Sequence, residues 1–249
     1  GPLSIADGSD LGGSLRNPAS FNGVVGFRPT TRSIPWDVPP DPRTDQPIAG
    51  PMGRTVGDVA LLLGVMTGAD VPADPISTTP RVAFSPDLGD LPLDSAVRET
   101  TLRAVDLLSE VGWEVVEACP DLTGADRCFE DLRGLFQTFH MAALADDERV
   151  KATARYEIRL GLSLDADRIA QAVATERRIS ANWDRFFVDD RFDAFLSATS
   201  QVPPFPIGME WVDEIDGVRL MTVHKAKSKK KENIVFIMDG SFASQRCCR

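Results

Sequence analysis

Between Gly8 and Ser20 the chain reads Gly-Ser-Asp-Leu-Gly-Gly-Ser-Leu-Arg-Asn-Pro-Ala-Ser, placing three glycines, a carboxylate, an arginine and a serine between two apolar stretches. Glycine adopts dihedrals that other residues resist, so a Gly12-Gly13 pair directly before Ser14 predicts a turn with inward-facing amides. Leu3-Ser4-Ile5-Ala6 ahead of it is expected to be extended, and Phe21 to Phe27 behind it resumes a packed element. Converging N–H groups beside a hydroxyl are the parts of an acyl-transfer site, a nucleophile with a place for an oxyanion. Ser9 and Ser20 are expected to be turn and cap residues.

Other motifs fail on specific residues. Gly8 and Gly13 have Walker A spacing, but Ser14-Leu15 follows where Lys-Ser/Thr is required. The strained elbow G-x-S-x-G needs glycine at Arg16. No spacing ties His140 or His224 to Ser14, and no dinucleotide fingerprint is present. Cys119, Cys128, Cys247 and Cys248 contain no C-x-x-C pair, so neither a zinc site nor a disulfide framework is spelled; no metal and no cofactor is expected.

At 249 residues, with an apolar fraction of 43% and a charged fraction of 26%, the chain can bury a core as one domain or two small ones. A net charge of −10 argues against a nucleic-acid surface and suits a protein handling small neutral or cationic molecules. No apolar run approaches ~18 residues and no basic-then-apolar leader opens the chain, so neither membrane spanning nor export is expected. A reducing, cytoplasmic compartment is the default.

Thr31 to Gly50 holds five prolines and no apolar period, which predicts a loop, either bordering a substrate cleft or merely connecting. Thr55-Val56-Gly57-Asp58 leads into a helix apolar on all sides, expected to be heavily buried and to stop at Gly68. Val71 to Pro80 reads as a linker. A strand at Arg81–Ser85, a helix capped by Asp94 or Ser95 with Val97, Thr101, Val105 and Leu108 on one face, and a strand at 113–117 form a crossover unit over 81–117. That favours a parallel or mixed sheet and an α/β class. Helices are expected at Arg127–Asp146, Arg149–Leu160 and Asp165–Phe187, within a helical segment over 124–191. Phe129, Leu132, Leu135, Phe136, Phe139 and His140 line either core or a pocket. Phe192–Ser197 reads as a returning strand.

The blocks Gly8–Ser20, Gly23-Val-Val-Gly-Phe-Arg-Pro-Thr30 and Gly50-Pro-Met-Gly-Arg-Thr-Val56 together resemble the amidase signature family, strongly to about Gly68 and more weakly to about Leu220. The resemblance implies a mixed central sheet wrapped by helices, here incomplete. It also implies an amide hydrolase acting on a small carboxamide through a serine, cis-serine, lysine triad, with Ser14 as nucleophile. The oxyanion would be held by backbone amides of Leu11, Gly12, Gly13 and Ser14. Asp10 and Arg16 are read as loop supports, pairing across the turn; a structural salt bridge is nearly the same reading.

In the family the lysine and the bridging serine precede the nucleophile, and this chain begins too late to hold them; Lys151 does not fit that role. The chain is therefore expected to be N-terminally truncated and inactive alone. The alternatives are a glutaminase-type subunit of a tRNA-dependent amidotransferase and a non-catalytic remnant or interaction module. A homodimer is left open. The last organisational signal is compositional. Lys151 is the only lysine before Lys225, whereas 225–249 carries five and a net charge of about +5. Residues 1–224 are read as a partial domain and 225–249 as a disordered, foreign-looking tail, with an added strand at 234–238 or a basic patch as lesser alternatives.

Overall fold

Glycines at 8, 26 and 50 leave gaps on one face of a small sheet, and Leu15 and the helix after it lie directly on them. The computed structural model describes residues 3–35, 48–71, 79–209 and 212–220, with the backbone of 235–239. In it β1 (Ile5–Asp10), β2 (Val25–Gly26) and β3 (Ile48–Gly53) form an antiparallel sheet in the order β1-β3-β2. The helix α1 (Arg16–Asn22) follows β1. A Cβ on Gly26 would stand 2.3 Å from the Leu15 carbonyl oxygen and 2.7 Å from Ala19 Cβ, so only glycine admits this approach. Gly8 and Gly50 oppose each other in the ladder, and fully buried Leu15 sits on the pair.

Two expectations shift here. β1 does not end before the glycines; it runs through Gly8, Ser9 and Asp10, paired in register as far as Ile48. Ile48–Gly50, read as loop, is the start of β3, while residues 36–47 of the proline-rich stretch lie outside the described residues.

α2 (Val56–Thr67) begins with a capping box in which Thr55 and Asp58 bond each other's amides, and stops at Gly68 in the left-handed region. Its expected burial is not met. Val59 and Ala60 pack on the sheet, but Leu61 is 66% and Val65 75% exposed. A helix apolar all round implies cover on every side; the described residues cover one.

The crossover unit forms as expected. β4 (Arg81–Phe84) leads to α3 (Ser95–Glu110), capped by Asp94, and β5 (Glu114–Glu117) returns parallel to β4. Residues 72–78 of the preceding linker lie outside the described residues. Three helices follow, α4 (Ala125–Met141), α5 (Ala152–Ser163) and α6 (Ala166–Val188). Then β6 (Ala194–Ala198) pairs parallel with the other side of β4. Val82, Phe84, Ala194 and Leu196 make the core of this sheet, covered by Val105 and Leu108 of α3. A short hairpin, β7 (Glu214–Ile215) and β8 (Val218–Arg219), turns at Asp216-Gly217, both with positive φ.

β9 (Val235–Asp239) joins β6 antiparallel, giving the order β5-β4-β6-β9. This corrects the disordered reading for those five residues in favour of the added strand; 225–234 and 240–249 lie outside the described residues. The mixed α/β class holds, with the described strands distributed over three sheets rather than one.

Packing divides the chain into two units, Gly1–Cys119 with Asp190–Arg249, and Pro120–Asp189. In the second, α4 and α5 cross where Gly134 meets Gly161, and Thr138 Oγ1 donates to the Ile158 carbonyl at 2.8 Å. Arg168 grips the buried Asp131 carboxylate with two N–H groups, and Arg133 and Gln137 share Glu157. Burial, with Glu176 and Asp131 nearby, pushes the Cys128 thiol up to about 11, leaving it protonated and inert. The aromatic stripe divides: Leu132 is core, Phe129 and Phe139 face solvent, and the His140 ring meets that of Phe136 at a tilt of 56°, centroids 4.5 Å apart. Among the described residues no helix is long and apolar enough to cross a membrane, and no cluster of three or more His, Cys, Asp or Glu could hold a metal.

Candidate active site

By strand alternation Gly8 and Asp10 share the face of β1 that α1 covers, which turns the Asp10 carboxylate under the loop rather than out to water. There it is fully buried and meets four donors. Gly13 N–H donates to Oδ1 at 2.7 Å and Leu15 N–H to Oδ2 at 3.2 Å. Arg16 closes a two-pronged ion pair, Nε to Oδ2 at 2.9 Å and Nη2 to Oδ1 at 3.0 Å. Burial by itself would raise the carboxyl, but the Arg16 guanidinium and the two amides hold it below the ordinary aspartate value. The anion is thus the stable form, and it ties the loop from beneath.

Leu11 to Leu15 make the turn. Gly13 has φ of +105°, a region that favours glycine, and its carbonyl accepts from Asn17 N–H at 2.8 Å to start α1. Leu15 plugs into the Gly8–Gly50 pair, and Ser14 beside it is left exposed. The backbone therefore holds a surface hydroxyl at a fixed place between a buried plug and a positive-φ glycine.

The structure brings Asp10, Gly13, Ser14 and Arg16 into one turn and narrows one expectation. Gly13 N–H is committed to Asp10, so it is not available to an oxyanion in this arrangement; the amides of Leu11, Gly12 and Ser14 are not among Asp10's donors. Ser9 lies exposed in β1 rather than in a turn. Ser20 is within α1 and caps nothing; its buried hydroxyl has no partner among the described residues.

Sequence reading passed over Arg28. Its Nη1 donates to the Asp10 carbonyl at 3.0 Å. Burial pulls its guanidinium below the ordinary value, with the Asp10 carboxylate pushing back and Arg16 adding to the fall. Only its place in the Gly-Phe-Arg-Pro block pointed to it, and nothing in that block pairs it with Asp10. Asp10, Gly13, Leu15, Arg16, Asn17 and Arg28 are thus joined by hydrogen bonds at the turn.

A family model described as Amidase matches residues 1–226. The chain belongs to this amidase family. It is 38% identical to an acylamidase of Rhodococcus erythropolis over 136 residues, 48% of this chain and 28% of that protein. It is 30% identical to an indoleacetamide hydrolase of Bradyrhizobium japonicum over 222 residues, 80% of this chain and 47% of that protein. A crystal structure of an amidase superposes with a TM-score of 0.76 at 27% identity, covering 88% of this chain and 50% of that one. The chain thus spans at most about half the length of these relatives. An amide-hydrolysing family and a mixed α/β fold are thereby established for it.

Proposed function

We propose that this amidase hydrolyses a small carboxamide through Ser14. The observation that carries the reading is the exposed Ser14 on a turn that a buried, ionised Asp10 ties from beneath. In this reading Ser14 Oγ attacks the amide carbon, and the Leu11, Gly12 and Ser14 amides receive the oxyanion. The C–N bond breaks as the amine takes a proton and leaves. Water then attacks the acyl-serine ester and releases the acid. A serine hydroxyl needs an adjacent base to attack, and this reading places that base on residues other than those bonded at the turn. The names of an acylamidase and an indoleacetamide hydrolase among the relatives support a carboxamide substrate.

The test is labelling with a fluorophosphonate followed by peptide mapping, beside a Ser14→Ala control and an assay of acetamide and indoleacetamide hydrolysis. Label on Ser14 in a version supplied with the lysine and bridging serine that the family resemblance implies, absent from its Ser14→Ala form and matched there by loss of ammonia release, is the expected result; this chain by itself is expected to stay unlabelled. Hydrolysis that survives Ser14→Ala would sink the assignment.

A further inference from the structure

We propose that Arg28 is a positioning residue for the Leu11 amide, acting through the carbonyl of Asp10; this rests on the reading of the turn as an oxyanion site. The Asp10 carbonyl and the Leu11 N–H belong to one planar, trans peptide unit and point in opposite directions. Whatever fixes the carbonyl therefore aims the amide. Arg28 Nη1 fixes it at 3.0 Å, through a bond strengthened by the charge on its donor. A cation on the carbonyl oxygen also polarises the peptide and makes its N–H a better donor.

The reach that makes this possible is built into the sheet. Arg28 lies just beyond β2, on the opposite side of β3 from β1. Phe27 N–H extends the pairing by donating to the Pro51 carbonyl at 3.0 Å. A Cβ on Gly50 would stand 2.3 Å from the Phe27 carbonyl oxygen and 2.9 Å from Pro29 Cδ, so the segment carrying Arg28 lies directly on a glycine of the central strand. From there the guanidinium reaches past β3 to the end of β1.

Together the two supports divide the turn between them. Arg28 holds the 10–11 peptide by its carbonyl, whereas the Asp10 carboxylate holds the 12–13 and 14–15 peptides by their N–H groups. Asp10 spends amides to fix the loop; Arg28 fixes it while leaving one free to face the substrate.

The test uses the full chain labelled with [15N]leucine and [15N]glycine, comparing Arg28→Met and Arg28→Lys with the parent by amide resonance position. Arg28→Met is expected to displace the Leu11 resonance while Gly13 and Leu15, held by Asp10, stay in place; Arg28→Lys, which keeps one charged donor, is expected to restore Leu11. An unmoved Leu11 in Arg28→Met overturns the proposal. So does a shift of all three amides together, which marks general support of the loop. Should Arg28→Met not fold, Arg28→Lys decides: Leu11 at its parent position supports the assignment and a displaced Leu11 overturns it. Resonance positions do not depend on whether Ser14 reacts, so failure here is distinguishable from failure of the nucleophile assignment. Where Ser14 takes up fluorophosphonate, Arg28→Met is expected to slow that uptake about 100-fold, the loss of one oxyanion donor.

Discussion

Asp10 is a carboxylate with no exposed surface, four donors and one counter-ion, which makes it the residue most sensitive to substitution in the turn. Asparagine there keeps the shape but offers an NH2 group where a second acceptor is required, and takes the buried carboxylate away from Arg16. Breaking one side of a buried pair costs about 3–5 kcal/mol. Because Arg16 keeps 30% of its side-chain surface in water, the expected loss for Asp10→Asn is at the lower end, about 3 kcal/mol, read from urea unfolding. The sign of the pH dependence follows from the depressed carboxyl. The unfolded chain binds this proton more readily, so the contribution is complete above the ordinary aspartate value of about 4 and is lost as pH falls through the folded value. The parent should lose stability on acidification below about pH 4 by a component that Asp10→Asn lacks. Identical slopes in the two proteins below about pH 4 would refute it.

An extended stretch and a turn around Ser14 were legible from residue types alone, because a Gly-Gly pair before a serine leaves few alternatives; the helix at Arg16–Asn22 was not. Nor were the registers. Nothing local tells that Asp10 pairs with Ile48 or that Arg28 reaches Asp10, since both depend on which strand lies between. The crossover unit at 81–117 was readable for the opposite reason: its signals are periodic and local. The division of labour on α4 fell between these cases. Spacing put Leu132 and Phe139 on one stripe, yet only Leu132 is covered. The α4–α5 contact was invisible in sequence, because Gly134 and Gly161 show their purpose only when opposed. A Cβ at Gly161 would stand 2.1 Å from the Gly134 carbonyl oxygen and 2.2 Å from Thr138 Oγ1, whereas one at Gly134 would meet its nearest atom at 3.1 Å. Gly161→Ala must force the helices apart, at about 1–3 kcal/mol, and should break the Thr138 bond to Ile158. For Gly134→Ala the gain in helix propensity, about 1 kcal/mol, offsets most of a smaller clash. Thermal melts should therefore rank Gly161→Ala well below Gly134→Ala; equal melting temperatures would show that the helices do not cross through these glycines.

At the scale of the whole chain, the unit that carries Ser14 exposes apolar surface at Leu3, Ile5, Val56, Leu61 and Val65. It also presents β1 as an edge strand without a second neighbour among the described residues. An open edge next to an apolar helix face is a template for pairing with another chain. A net charge of −10 opposes that association through like-charge repulsion, and salt screens the repulsion over about 8–10 Å. The two terms respond oppositely to ionic strength, which separates them. Sedimentation velocity should find the chain associating with concentration, more strongly at 0.5 M than at 0.05 M salt. A double substitution Leu61→Lys, Val65→Glu, neutral in net charge, should reduce association at both salt levels. It should leave unfolding free energy within about 0.5 kcal/mol, because both side chains are already in water. If the double variant associates as the parent does, the helix face is not what drives it and the β1 edge is left as the cause; Ile5→Lys on that edge then becomes the deciding variant. A chain monodisperse at high concentration and high salt would mean that neither surface is sticky enough to overcome its loss of freedom on association.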